Sequence, residues 1–208
     1  MCFYKEMKKI FAKVFGIVEI CSMMSLQHPP ISLRSPEPAD VDFLFQLEND
    51  HRLWHVTQTL VPFSRFDLES YILSTDKNNP FVAKQVRLMI EFEENGNAET
   101  IGAIDLFDLD ALNRRAGIGI VIAEEKRGRG FAGIALSLCT GYAFDDLNLH
   151  QLFCNVEHDN LQSLELFINQ GFDKIGLKRD WNWRNGKWED EFLLQKINNT
   201  KLLFKNKK

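Results

Sequence analysis

Three glycines fall within seven residues at Arg127-Gly128-Arg129-Gly130-Phe131-Ala132-Gly133, between a β-patterned run and a helical one. Glycine opens backbone conformations closed to other residues and lets a ligand approach the main chain closely. The first amides of the helix that follows have no intrahelical partner, and its dipole adds partial positive charge. With Lys126, Arg127 and Arg129 alongside, the segment suits a pyrophosphate. No G-K-[ST] follows, so it is not a Walker loop. Gly128, Gly130 and Gly133 do stand in the G-x-G-x-x-G register. A dinucleotide fold, however, needs a β-α-β crossover before the loop, and the strands here form a meander.

The rest of the pattern fixes the class. Ile31-Ser-Leu-Arg34 alternates as a strand, and Ser35-Pro-Glu-Pro-Ala-Asp40 reads as a helix start with Val41, Phe43, Leu44 and Leu47 as its apolar face. Ser64 and Asp67 form a capping box for a second helix. Residues 81–92 and 99–109 are β-rich and joined at Asn95-Gly96, a hairpin signal. A third strand spans 116–122. Then come a helix at 131–147, a strand at 151–156, a helix at 160–170, and two strands around Asn185-Gly186. The order β-α-α-β-β-β-α-β-α-β-β predicts an α+β (mixed α/β) fold, a central mostly antiparallel sheet flanked by helices.

Composition narrows function. The chain has 208 residues, 45% hydrophobic and 26% charged, enough to bury a core without staples. Twenty-five basic against 29 acidic residues give a net charge of -4, so no nucleic-acid partner is expected. Cys139 and Cys154 lie in apolar runs, and none of the four cysteines has metal-site spacing. Buried thiols in a reducing, cytoplasmic compartment are expected, with no metal. Residues 1–30 are an N-terminal extension, read either as an amphipathic helix (Met7, Ile10, Phe11, Val14, Val18) or as a start-site artefact ahead of a true start at Met23 or Met24. Its apolar run is too short for export or for spanning a membrane. Residues 31–198 form one domain and 199–208 a basic tail.

A second motif follows the first. Asn160-Leu-Gln-Ser163-Leu-Glu-Leu166-Phe167-Ile-Asn-Gln-Gly171-Phe172 is a helix opening at a capping Asn and closing at Gly, with Asn160 and Ser163 on one face. Arg127, Gly130 and Ala132, followed by Asn160, Ser163, Leu166, Phe167, Gly171 and Phe172, resemble the two signatures of the GNAT acyltransferase superfamily. The resemblance covers 31–197. It looks most like the branch with spermidine and ribosomal-protein N-terminal acetyltransferases, through Ile31-Ser-Leu-Arg34, Asn113-Arg-Arg115 and Gly186-Lys-Trp-Glu-Asp190.

The resemblance implies a GNAT-like fold and acetyl-CoA as acyl donor. Its pyrophosphate is expected on Arg127, Gly128, Arg129, Gly130, Phe131, Ala132 and Gly133. Its pantetheine arm would pair like an added strand with Ile120-Val121-Ile122, and Asn160 and Ser163 would complete the site. The expected reaction is direct acetyl transfer to a primary amine, on a small molecule or polyamine or at a protein N-terminus. The alternative is a non-catalytic acyl-CoA-binding module, motivated by Phe167, which stands where many relatives carry a general-acid Tyr. Asp105 is the favoured base, ahead of Asp108 and Glu157. Gly117, where related polyamine enzymes carry an acid, is expected to leave room for a bulkier acceptor. Trp54, Trp181, Trp183 and Trp188 either line an acceptor groove or pack across a hairpin. Exposed strand edges point to a homodimer.

Overall fold

The computed structural model describes residues 30–57, 59–74 and 79–199. The expected N-terminal helix and most of the basic tail lie outside them. The chain divides into two units, Met1–Pro30 and Ile31–Lys208, and every element below belongs to the second.

Strand β1 (Ile31–Arg34) leads through a 3-10 turn (Pro38–Asp40) into α1 (Val41–Glu48). Short helix α2 (Trp54–Thr57) and then α3 (Arg65–Leu73) follow. The capping box opens α3 as expected: Ser64 Oγ accepts from the Asp67 amide, and Asp67 accepts from the Ser64 amide. The β-rich run at 81–92 begins differently. Asn79 caps, Pro80 starts and left-handed Lys84 ends a helix α4 (Pro80–Ala83), so local capping overrides the β preference of Phe81 and Val82.

Strands β2 (Gln85–Glu94), β3 (Asn97–Asp110) and β4 (Arg115–Ile122) form the meander. Asn95 and Gly96 both take positive φ in the tight turn between the first two. Helix α5 (Phe131–Gly141) is shorter than expected, because residues Tyr142–Asp146 widen into a π-helical turn. The Leu147 amide there reaches back to the Tyr142 carbonyl at 3.1 Å. The wider turn buries Ala143 and Phe144. Strand β5 (Gln151–Glu157), helix α6 (Leu161–Asn169) and the hairpin β6 (Asp173–Arg184) and β7 (Lys187–Ile197) close the domain.

The seven strands lie in the order β1-β2-β3-β4-β5-β7-β6. Among the described residues every pairing is antiparallel except β4 with β5. Alternation along the strands divides two cores. Ile104 and Leu106 join Phe131, Leu136, Leu152 and Phe167 in the larger one, beneath α5 and α6. Met89 faces the other way, into a smaller core with Val41, Leu44, Leu68 and Ile72 of α1 and α3. Two helix pairs thus hold the sheet from both sides. Beyond α1 and α3, no described helix covers that face of the sheet.

Candidate active site

The parallel β4–β5 pairing lasts for three residue pairs, Arg115↔Gln151 to Gly117↔Phe153. Past Gly117 the strands diverge, while β4 stays paired with β3 as far as Gly102↔Ile122. Successive residues of an antiparallel strand alternate in bonding to the same neighbour. Alternate amides and carbonyls of 118–122 therefore face the split, without β5 to receive them. Gly102 makes the β3 contact close: a Cβ there would fall 2.3 Å from the Val121 carbonyl oxygen.

A cleft of about 550 Å³ opens at the split. Ile120, Val121 and Ile122 form one wall, Arg127, Gly128, Gly130, Phe131, Ala132 and Gly133 its end, and Asn160 and Ser163 the other wall. Gly128 and Gly130 have φ of 74° and 80°, so the loop itself requires glycine. Arg127 is braced by its Nε donating to the Ile122 carbonyl at 2.8 Å. Asn160 caps α6, its Oδ1 accepting from the Ser163 amide at 3.1 Å, which leaves its Nδ2 to donate. Arg129 departs from expectation. Its guanidinium stacks on Phe131 at 4.7 Å and Phe92 at 5.1 Å instead of lining the cleft, so only its backbone is left for a phosphate.

A second chamber of about 490 Å³ adjoins the cleft and shares Ile120, Val121, Glu157, Asn160 and Ser163 with it. Among the described residues its carboxylates are Glu48, Asp105, Asp108 and Glu157, against the single cation Arg87. Asp105, the expected base, gives both oxygens to Arg87: Nε to Oδ1 at 2.8 Å and Nη2 to Oδ2 at 2.9 Å. Arg87 also donates to Glu48, and its guanidinium lies 5.9 Å from the Tyr71 ring centre. Asp105 is thus one arm of a buried ion-pair bridge between α1 and β3. Arg87 escaped the sequence reading, although one cation in the apolar alternation Val86-Arg87-Leu88-Met89-Ile90 was the available signal. Glu157 accepts a hydrogen bond from Arg184 of β6.

Phe167 lines the chamber from α6, buried and edge-on to Phe172 at 5.1 Å. No tyrosine lines the chamber among the described residues. The space expected at Gly117 is occupied: a Cβ there would fall 2.2 Å from the Phe107 ring, whereas Gly119 meets that ring only at 3.8 Å. Trp183 and Trp188 pair across the β6–β7 hairpin, and with Trp181 they stay exposed outside both cavities. Trp54 donates its indole N–H to the Glu48 carbonyl at 2.8 Å and so holds the chamber's edge. Cys139 and Cys154 are buried free thiols, the former pushed up to about 12 by burial, with no part in the site.

Residues 31–173 match the family model described as an acetyltransferase (GNAT) domain. The chain belongs to this family. It is 27% identical to a spermidine N(1)-acetyltransferase of Vibrio cholerae, over 77% of this chain and 88% of that one. A putative ribosomal N-acetyltransferase of Bacillus subtilis, YdaF, is 35% identical over 43% and 49% of the two chains. The fold is shared with the crystal structure of spermidine N-acetyltransferase from Vibrio cholerae in complex with CoA and spermine. The TM-score is 0.74 at 24% identity, covering 83% and 98% of the chains. As a GNAT acetyltransferase, the protein takes its acetyl group from acetyl-CoA and passes it to an amine.

Proposed function

We propose that the cleft holds acetyl-CoA and that the acidic chamber receives the cationic primary amine of the acceptor, a small molecule or a protein N-terminus, at the β4–β5 split. The observation that carries this reading is the junction itself. An open strand edge and a glycine loop at a helix start lie on one side, and four carboxylates around one arginine on the other. The cleft residues fit the donor: Arg127 and the first amides of α5 suit a diphosphate, and β4 offers backbone partners to an amide-bearing arm. Acetyl-CoA supplies an activated acetyl thioester. The protein supplies charge and position.

Amine attack requires loss of the ammonium proton within hydrogen-bond reach of a base. Glu157 is the carboxylate that lines both cleft and chamber, so position selects it as the base, with Arg184 fixing its orientation. Asp105 and Glu48, tied to Arg87, act as the negative wall that draws the ammonium in. Phe167 donates no proton. A free thiol titrates near 8.5, so the departing thiolate needs little assistance at neutral pH. Asn160 Nδ2 and the β4 amides are the donors that would serve the thioester carbonyl in this reading.

The same reading puts the protein in the reducing cytoplasm, in keeping with two buried free thiols. It also includes a homodimer, for which the exposed Leu177 and Trp181 on edge strand β6 are the favoured contact. The test is thiol release from acetyl-CoA against polyamines, aminoglycosides, amino-acid amides and short peptides. Turnover with a cationic amine is expected. CoA binding without turnover on any of them would point to a non-catalytic module.

A further inference from the structure

Beside the acceptor chamber, between the end of α4 and strands β3 to β7, lies a larger groove of about 770 Å³. The two share Asp108 and Asn155 and adjoin there. Beside that junction stands a pair of rings. Phe107 lines the chamber, Phe153 lines the groove, and the rings meet edge to face at 5.9 Å. The charge balance changes here. Among the described residues the chamber has four carboxylates, one of them the shared Asp108, and one cation, whereas the groove has Lys84, Arg115 and Lys178 against Asp108 and Asp110, with buried Glu191 behind Lys178. Arg115 lies 3.2 Å from Asp110, and Lys178 is held by Glu191 and Asn155. Lys84 is exposed and has no ion-pair partner among the described residues.

We propose that this groove is a second acceptor subsite, which takes the body of a peptide whose α-amine enters the chamber and whose following residues carry carboxylates. The inference rests on the acetyltransferase reading above and refines its acceptor. An acceptor spanning both cavities must present a positive end to the chamber and a negative or neutral remainder to the groove. A polyamine has cations along its whole length, so its far end meets Lys84, Arg115 and Lys178. A peptide with acidic side chains behind its α-amine satisfies both ends. Gln151, Asn155 and Gln195 line the groove; the oxygens of Gln151 and Asn155 accept from Gln195 and Lys178, and their NH2 groups remain to donate to the peptide's backbone. Charge matching of this kind sets selectivity more than raw affinity.

The full chain is assayed by thiol release with four acceptors: glycinamide, a tripeptide with glutamate at its second and third positions, the same peptide with lysines, and spermidine. The acidic peptide is expected to exceed both the lysine peptide and spermidine in kcat/KM by about tenfold. Lys84→Glu should erase that preference through KM and leave glycinamide unchanged, and Lys84→Gln should fall between. If spermidine or the lysine peptide is preferred, or if Lys84→Glu alters all four acceptors alike, the subsite is wrong while the acetyltransferase reading survives. Silence with every amine defeats that reading and the subsite with it.

Discussion

Phe107 and Phe153 meet edge to face across Gly117, which lies between them in register on β4. Three neighbouring strands thus place ring, glycine and ring in one row. The glycine leaves the gap in which the two rings touch and wall off one side of the acceptor chamber. Gly117→Ala would put a methyl group 2.2 Å from the Phe107 ring. Overpacking of this sort destabilises by about 1–3 kcal/mol. Denaturant unfolding should show that loss in Gly117→Ala and its partial recovery when Phe107→Ala is added. Equal, additive losses would mean that the ring is not what Gly117 accommodates.

Arg87 is the charge on which the chamber wall depends. It is largely buried and bound to Glu48 and Asp105 at once. Arg87→Met removes the cation and leaves two carboxylates facing each other out of water. Breaking a buried pair in this way costs about 3–5 kcal/mol. A melt and a urea titration should both register it. Adding Asp105→Asn to Arg87→Met should restore part of the stability, because one uncompensated charge is then gone. No recovery would assign the loss to packing.

Gly130 caps α5 in the left-handed region, and a Cβ there would touch nothing within 4 Å. The obstacle to replacement is therefore backbone energy rather than space, about 1–2 kcal/mol for an ordinary residue and more for a β-branched one. Gly130→Val should refold the loop into a right-handed conformation and swing its amides off the cleft. Calorimetry with CoA is expected to show no binding, while far-UV circular dichroism stays native. Undiminished affinity would remove this loop from the site.

The sheet meander, both hairpin turns and the Ser64 cap were legible because local chemistry and tertiary structure agree there. Asn-Gly tolerates positive φ, and a capping box satisfies orphan amides without help from afar. The residues that the cleft brings together were legible as a set because two motifs open the helices on either side of β5, at the end where β4 and β5 part. Arg129 was not, since the aromatic rings that capture its side chain, Phe92 among them, are set by packing. The Arg87–Asp105 bridge was hidden for a similar reason. Its members are 18 positions apart and meet through the β2–β3 register, which displays Arg87 opposite Asp105. Gly117 misled in its own way, because a sequence shows the missing side chain and not the ring that fills its place.

Glu157 is placed at the junction of cleft and chamber and held there by Arg184. Glu157→Gln keeps the shape and removes the proton acceptor. General-base loss commonly costs about 10²–10⁴-fold in rate. The expected result is a fall of at least about a hundredfold in kcat, with CoA affinity within about twofold of wild type. A variant with near-normal kcat would move the base to another chamber carboxylate, and the same substitution at Asp108 would then be the comparison.

Far from the reacting groups, Asp40 ties β1 to the turn that launches α1. Burial alone would raise its carboxyl. Arg34 outweighs that with bonds of 2.6 and 2.8 Å, and the Glu37 amide adds one at 2.7 Å, so the group is held below the usual carboxylate range. A pKa depressed by folding adds stability that is complete above the unfolded value, about 3.9 for Asp, and disappears as pH falls through the folded value. Wild type should therefore exceed Asp40→Asn in urea midpoint by a constant margin between pH 7 and 5. The margin should narrow progressively below about pH 4, as the carboxylate takes up its proton and releases Arg34. A gap that persists undiminished to pH 2.5 would show that Asp40 acts through shape alone, and a gap that closes by pH 5 would show that its carboxyl is not held low.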